Sequence, residues 1–253
     1  MVKPGTLFRS HNLMEEGYRE RFTPASANLQ FLSFGEYTLA AGSVTHKTFF
    51  PSEEALLFML QGIASVAVDG KAYVLAEYDT LYIPKGVPFL ISNSSGQLAR
   101  LFLTRAPAQN TYTVFHSKFA SFSKDELRIR HLKGKDVFMM FDVSEKADKL
   151  VAGYTFFEPF ARSWPPHNHT DQEEVYIFIR GHGSMEVYEM PETLTFVHEV
   201  SEGDAVTIPF LNFHPVFSQE SPLVFIWCIA GERYWVGDKS KDFMSGTSES
   251  ITT

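Results

Sequence analysis

The chain repeats its own punctuation. Gly62, Ser65 and Val68 are matched by Gly181, Ser184 and Val187, and Asp79, Ile83, Pro84 and Phe89 by Asp204, Ile208, Pro209 and His214. The second set is spaced slightly wider, as a longer hairpin around Pro191–His198 would make it. A repeat of this size predicts two copies of one folding unit. Each copy is a series of short runs rich in Val, Thr, Tyr and Phe, closed by Gly, Pro, Ser or Asp. That pattern predicts strands rather than helices, arranged as sandwiches or barrels.

In the first copy strands are expected at Phe31–Leu39, Ala55–Leu60, Ala64–Val68, Ala72–Leu75, Thr80–Ile83, Phe89–Ser92 and Ala99–Thr104. Asp69-Gly70 supplies the positive φ of a tight hairpin. The charged stretch Ser121–Lys135 is read as a short helix or an irregular connection. Strands are expected to resume at Val151–Pro159 and to continue through Glu174–Ile179, Ser184–Tyr188, Thr195–His198, Ala205–Ile208, His214–Phe217 and Val224–Ala230. The polar tail Lys239–Thr253 is expected to be loosely held. The predicted division is an N-terminal domain over residues 1–115, a C-terminal domain over 116–238 and a tail over 239–253.

Composition narrows the function classes. The 22 Lys and Arg against 30 Asp and Glu leave a formal charge of −8, which argues against a nucleic-acid partner. Neither a membrane-spanning apolar run nor a signal-peptide core is found, so a cytoplasmic address is expected. The single cysteine, Cys228, leaves neither an intrachain disulfide nor a cysteine-based zinc site. The 24 phenylalanines exceed what two small barrels need inside, which predicts a homo-oligomer.

The chemistry concentrates at Pro165-Pro166-His167-Asn168-His169, followed by Glu174 and then Gly181. Residues two apart on a strand point to one face, so His167 and His169 project together, with Glu174 across a turn. A fourth candidate is His214, behind Gly203 and Pro209. Neutral imidazoles with one carboxylate suit a divalent transition metal. Tyr176 shares the parity of Glu174, points inward and is a candidate acid/base or hydroxyl binder, whereas Glu173 faces the other way. The remaining histidines, His11, His116, His131, His182 and His198, lack partner spacing and are read as surface or packing residues.

The His-x-His-x4-Glu run and the downstream histidine resemble the two sequence motifs of the cupin superfamily, and the repeat makes the chain similar to a bicupin. The resemblance implies two double-stranded β-helix (jelly-roll) barrels, all-β, with His167, His169, Glu174 and His214 holding one divalent ion per chain (Zn, Mn, Fe, Ni or Co). Two positions depart from the motifs: Ala161 and Leu211 stand where cupins usually have glycine. The first copy is degenerate. It keeps His46 and Glu53 or Glu54, but Thr48 and Phe89 replace the other histidines, so a structural or dimer-forming role is expected for it.

A closer resemblance joins two isomerases. Arg21–Ala27, Phe31–Phe34 and Leu39–Gly42 resemble the opening of bacterial 5-deoxyglucuronate isomerases of inositol breakdown. Val68–Lys71 through Tyr82, and Ala106–Ala108 with Thr111-Tyr112, are similar to 5-keto-4-deoxyuronate isomerases of pectin breakdown. Phe225–Trp227 and Gly231-Glu232 resemble both. The resemblance implies a metal-dependent aldose–ketose isomerase of a uronate-type sugar acid. A buried carboxylate needs a cation, and Arg162 and Arg233 are nearest in sequence to the motifs. Phe178, Phe213, Phe217 and Trp227 are candidate walls. The alternatives are another metal cupin, a dioxygenase or aminohydrolase, or a sugar-acid-binding bicupin without turnover.

Overall fold

The computed structural model describes residues 3–10, 16–190 and 193–234. His11, Pro191, Glu192 and the tail from Lys239 lie outside the described residues. The described chain is almost entirely strand. In order these are β1 (Thr6–Phe8), β2 (Gly17–Phe22), β3 (Ser33–Leu39), β4 (Glu53–Gln61), β5 (Ala64–Val68), β6 (Lys71–Leu75), β7 (Thr80–Ile83), β8 (Phe89–Ser92), β9 (Ala99–Pro107) and β10 (Phe115–Ser117). A one-turn helix α1 (Phe119–Phe122) and a 3-10 turn (Glu126–Arg128) follow. The second half holds β11 (Ile129–Leu132), β12 (Lys135–Phe141), β13 (Leu150–Phe157), β14 (Gln172–Arg180), β15 (His182–Met190), β16 (Thr193–Ser201), β17 (Ala205–Ile208), β18 (Val216–Ser218) and β19 (Leu223–Gly231).

Each half joins one large sheet to one three-stranded sheet. The first half has the sheet β10-β7-β4-β9-β3-β2 with β6-β5-β8, and the second has β1-β17-β14-β19-β13-β12-β11 with β16-β15-β18. The small sheets alternate as half-buried strands should: Ala64, Val66 and Val68 point inward on β5, and Gly183, Met185 and Val187 on β15. The central strands of the large sheets are buried on both faces. On β19 the residues Phe225, Trp227 and Ile229 line the second half's interior, while Ile226, Cys228 and Ala230 face the other half. On β4 Leu57 and Met59 line the first interior, and Leu56 and Phe58 face outward to the same junction. The molecule therefore has three apolar clusters, one inside each barrel and one between their large sheets. The surplus phenylalanines go into the third: Phe22, Phe34, Phe58, Phe102 and Phe141 are all buried there. The phenylalanine count thus gives no ground for a homo-oligomer, because the chain buries this surface against itself.

The repeat has a physical cause at the junctions. Gly62 and Gly181 both hold φ near +80° (81° and 83°), and a Cβ there would lie 2.5 Å from the Leu98 carbonyl or 2.1 Å from that of Pro222. The Asp69-Gly70 turn has both residues at positive φ (48° and 76°) and pairs Val68 with Lys71, the predicted hairpin.

The strand reading needs correcting: strands begin before Phe31 and resume before Val151. Charged residues interrupt the apolar alternation of β1, β2, β11 and β12, so β11 falls in the stretch expected to be a short helix or irregular connection and the other three carry no strand expectation. Hydrogen bonds also cross between the halves. Strand β1 joins the second large sheet through β17, and β10 extends the first through β7. Each barrel is thus edged by the strand that leads into the other.

Candidate metal centre

Strand parity carries the site. On β14 the residues Glu174, Tyr176 and Phe178 point into the second barrel, while Glu173, Val175 and Ile177 point to the inter-barrel junction. His167 and His169 precede β14 on a connection whose His169 carbonyl accepts the Leu211 amide at 2.7 Å. That bond ties the two histidine segments together. Leu211 holds φ 66°, the left-handed conformation that Gly86 adopts at 77° in the first half. The loss of glycine therefore leaves the turn intact, as strain at a site that the surrounding contacts fix. Asn168 adds a side-chain bond to the Leu211 carbonyl at 3.3 Å.

His167, His169, Glu174 and His214 converge, with one ligating atom from each lying within 4.8 Å of all the others. His169, Glu174 and His214 are 3, 3 and 1% exposed. Glu174 Oε2 lies 3.0 Å from His214 Nε2 and 3.4 Å from His169 Nε2, yet none of these three buried atoms has an aligned hydrogen-bond partner. Buried polar atoms that crowd without bonding are costly unless a shared centre satisfies them. A cation at that centre fits this donor set. His214 Nδ1 donates to the Asn212 carbonyl at 2.9 Å, which leaves Nε2 as the free electron pair. Burial alone would raise the Glu174 carboxyl, but His169 and His214 outweigh it and hold it below its ordinary value. Burial, then the neighbouring His214 and His169, pushes His167 well below its ordinary value, so Glu174 and His167 both favour their ligating forms.

The other expected residues sort clearly. Tyr176 is 7% exposed, with its ring 5.6 Å from that of His214 and 4.5 Å from that of Phe225. Burial, reinforced by Glu174, raises its phenol well above the usual value. Phe178 and Trp227 line the interior, and Phe213 is buried; Phe217 is partly exposed on β18. Arg162 is exposed, stacked 5.1 Å from Trp164. Arg233 is not brought to the cluster. Its guanidinium donates to the backbone carbonyls of Leu150, Glu145 and Asp142, which makes it a clamp on the connection before β13. Of the remaining histidines, His116 bonds Asp79, His131 sits between Asp136 and Glu126, His182 meets Glu220 and His198 packs on Phe196.

The first barrel holds no equivalent cluster among the described residues. Ala55 pairs with Ile83 as Glu174 pairs with Ile208, so an alanine stands at the carboxylate position. Glu53 instead bonds Arg105, and Glu54 faces the junction. A cavity of about 430 Å3 opens in this half, lined by Tyr18, Tyr37, Thr48 and Phe50, but it lacks the ligating set that gives the second barrel its chemistry.

One side chain near the cluster was missed: Lys135, on a segment read as irregular. Its ammonium donates to Ser163 and lies 5.1 Å over the Phe157 ring. Burial, then Arg130, lowers it to about 8, with Glu174 opposing. Strand alternation from Val137 and Met139, both facing the interior, was the available signal.

Residues 7–244 match the KduI/IolB family. The chain belongs to that family. Among curated relatives in it, the 4-deoxy-L-threo-5-hexosulose-uronate ketol-isomerase of Opitutus terrae is 26% identical over 247 residues, covering 92% of this chain and 84% of the relative. The enzyme of the same name from Lachnospira eligens is 28% identical, covering 78% and 75%. Among solved structures, an IolB-like protein from Salmonella typhimurium LT2 superposes with a TM-score of 0.77 at 18% identity, covering 95% of this chain and 99% of that one. Oxalate decarboxylase of Bacillus subtilis shares the fold at a TM-score of 0.74 and 17% identity, covering 100% and 83%. The bicupin fold expected from the motifs is borne out, as is the isomerase family.

Proposed function

We propose that the protein is a metal-dependent ketol-isomerase of a uronate-type sugar acid, with 5-keto-4-deoxyuronate and 5-deoxyglucuronate as the substrate types its family suggests. The observation that carries this reading is the convergence of His167, His169, Glu174 and His214 inside the second barrel of a KduI/IolB chain. A divalent ion held there, one per chain, would polarise a carbonyl and its neighbouring hydroxyl. Zn, Mn, Fe, Ni and Co all suit three imidazoles and a carboxylate. The chain's own residues then set the geometry. Asn212 fixes the His214 ring, and the His169–Leu211 bond fixes the two ligand segments relative to each other. Tyr176, protonated at neutral pH, donates a hydrogen bond to a substrate oxygen rather than serving as a resting base. The apolar walls Phe178, Phe225 and Trp227 exclude water while a proton leaves one carbon and returns to its neighbour. No net oxidation occurs.

The test follows 5-keto-4-deoxyuronate by proton NMR. Chelation should abolish its conversion and a divalent ion should restore it. His169→Ala should remove the tightly bound metal by elemental analysis and leave the circular dichroism unchanged. Loss of substrate only in the presence of O2 would move the protein to the oxygenases, and binding without turnover to the sugar-acid binders.

A further inference from the structure

A sugar acid brings a carboxylate, and a carboxylate taken into a barrel needs a cation. Most arginines near the junction already have partners. Arg21 meets Glu36, Arg105 meets Glu20 and Glu53, Arg128 meets Glu145, and Arg233 clamps three carbonyls. Two cations on the second barrel differ. Lys135 opens β12, and Val137 and Met139, of the same parity, pack in that barrel's interior cluster. Arg130 on β11 is the register partner of Val137, so it shares the face of Lys135. Both are half-buried. Among the described residues neither lies within ion-pair distance of a carboxylate, and the hydrogen-bond partner of the Lys135 ammonium is the Ser163 hydroxyl. Ser163 stands on the same connection as His167.

Ring contacts lead from Lys135 to the cluster. Its ammonium lies 5.1 Å from the Phe157 ring, Phe157 stacks on Phe225 at 5.8 Å, and Phe225 meets Tyr176 at 4.5 Å, whose ring is 5.6 Å from that of His214. Two like charges held on one face without a counter-ion repel each other, so the arrangement favours an incoming anion. An ammonium with one hydroxyl partner retains two donors for carboxylate oxygens.

We propose that Lys135, with Arg130 beside it, forms the subsite that takes the carboxylate of the sugar acid beside the His167–His169–Glu174–His214 cluster. The inference rests on the uronate reading above and replaces Arg162 and Arg233 in that role.

The experiment uses the full-length, metal-loaded protein and two readouts. The first is KM and kcat for 5-keto-4-deoxyuronate in Lys135→Met, Lys135→Arg and Arg130→Gln. Losing a charge-assisted bond should raise KM about 10- to 100-fold in Lys135→Met, with a smaller rise in Arg130→Gln, while kcat falls less and Lys135→Arg recovers much of the loss. The second is calorimetric binding of D-glucuronate against D-glucose, which needs no turnover. Wild type should prefer glucuronate, and Lys135→Met should lose the preference. Unchanged KM and an unchanged preference would overturn the subsite, as would a wild type that binds both sugars equally. If wild type turns over no uronate yet keeps a Lys135-dependent preference for glucuronate, the isomerase reading fails and the subsite stands. Should Lys135→Met not fold, Arg130→Gln alone decides, since the side chain it replaces is only half-buried.

Discussion

Glu54 and Glu173 carry identical duties in opposite halves. Glu54 is fully buried and accepts the amides of Asp148, Lys149 and Leu150 at 2.9, 2.8 and 3.0 Å and the Tyr82 hydroxyl at 2.8 Å. Glu173 accepts those of Gln30, Phe31 and Leu32 at 2.6, 2.7 and 2.6 Å. Each carboxylate reaches across the junction to the segment that enters a strand of the other half's large sheet, β13 for Glu54 and β3 for Glu173. Replacing Glu54 by Gln turns an acceptor-only group into one that presents N–H to N–H, leaving donors unsatisfied. The change should destabilise by about 2–4 kcal/mol and lower the melting temperature by roughly 4–15 °C, while bound metal, measured by elemental analysis, stays stoichiometric. An unchanged melting temperature would show that water replaces the acceptor. The candidate ligands His167, His169 and Glu174 were legible because their spacing is local, and His214 because it follows Gly203 and Pro209 at motif spacing. Glu54 was not, and it was first read as a leftover ligand, because its partners lie about a hundred residues away and nothing in a carboxylate's neighbours says which sheet it will meet.

At the scale of elements, runs such as Val224–Ala230 were legible as strands, and their burial on both faces follows from sheets covered on both sides. The region between the halves was not. Its strands β11 and β12 mix Arg130, His131, Lys135 and Asp136 into the alternation, since these edge positions face solvent or the site rather than a core. What holds this region is an ion pair. Arg128 donates to both Glu145 oxygens at 2.9 and 2.6 Å, and Glu145 also accepts the Asp142 amide at 2.6 Å. Burial would raise the Glu145 carboxyl, but Arg128 and the Asp142 amide hold it below its ordinary value. A depressed folded value stabilises above the unfolded one and loses that stability as pH falls through the folded one. Glu145→Gln should therefore cost about 1–3 kcal/mol at pH 7, a gap that closes as pH drops below about 4.5. Urea unfolding at pH 7 and pH 4 reads it, and an equal gap at both would remove the charge from the explanation.

At the scale of the molecule, the two halves are joined by exchange as well as by packing. Strand β1 edges the second large sheet through Thr6↔Thr207 to Phe8↔Ala205, and Asp204 accepts from Arg9 and from the Ser10 amide, both at 2.8 Å. Arg21, on β2 of the first half, donates to the carbonyls of Phe8, Arg9 and Gly203, so it stitches the same corner. The Lys3 carbonyl accepts from Asn212 at 2.9 Å, and the Asn212 carbonyl in turn holds His214. Lys3 thus supports a candidate ligand more than two hundred residues away. Deleting residues 1–10 strips β17 of a neighbour and Asn212 of an acceptor without touching any ligand. The truncated protein should hold its metal about ten-fold less tightly in chelator competition, in line with loss of groups that orient a ligand. Its amides at 205–208 should exchange faster with deuterium, because β17 becomes a sheet edge. Those of β3 and β9 should keep their protection, since both remain paired inside the first large sheet. Wild-type metal affinity together with wild-type exchange at 205–208 would mean that β1 covers the second barrel without supporting its site.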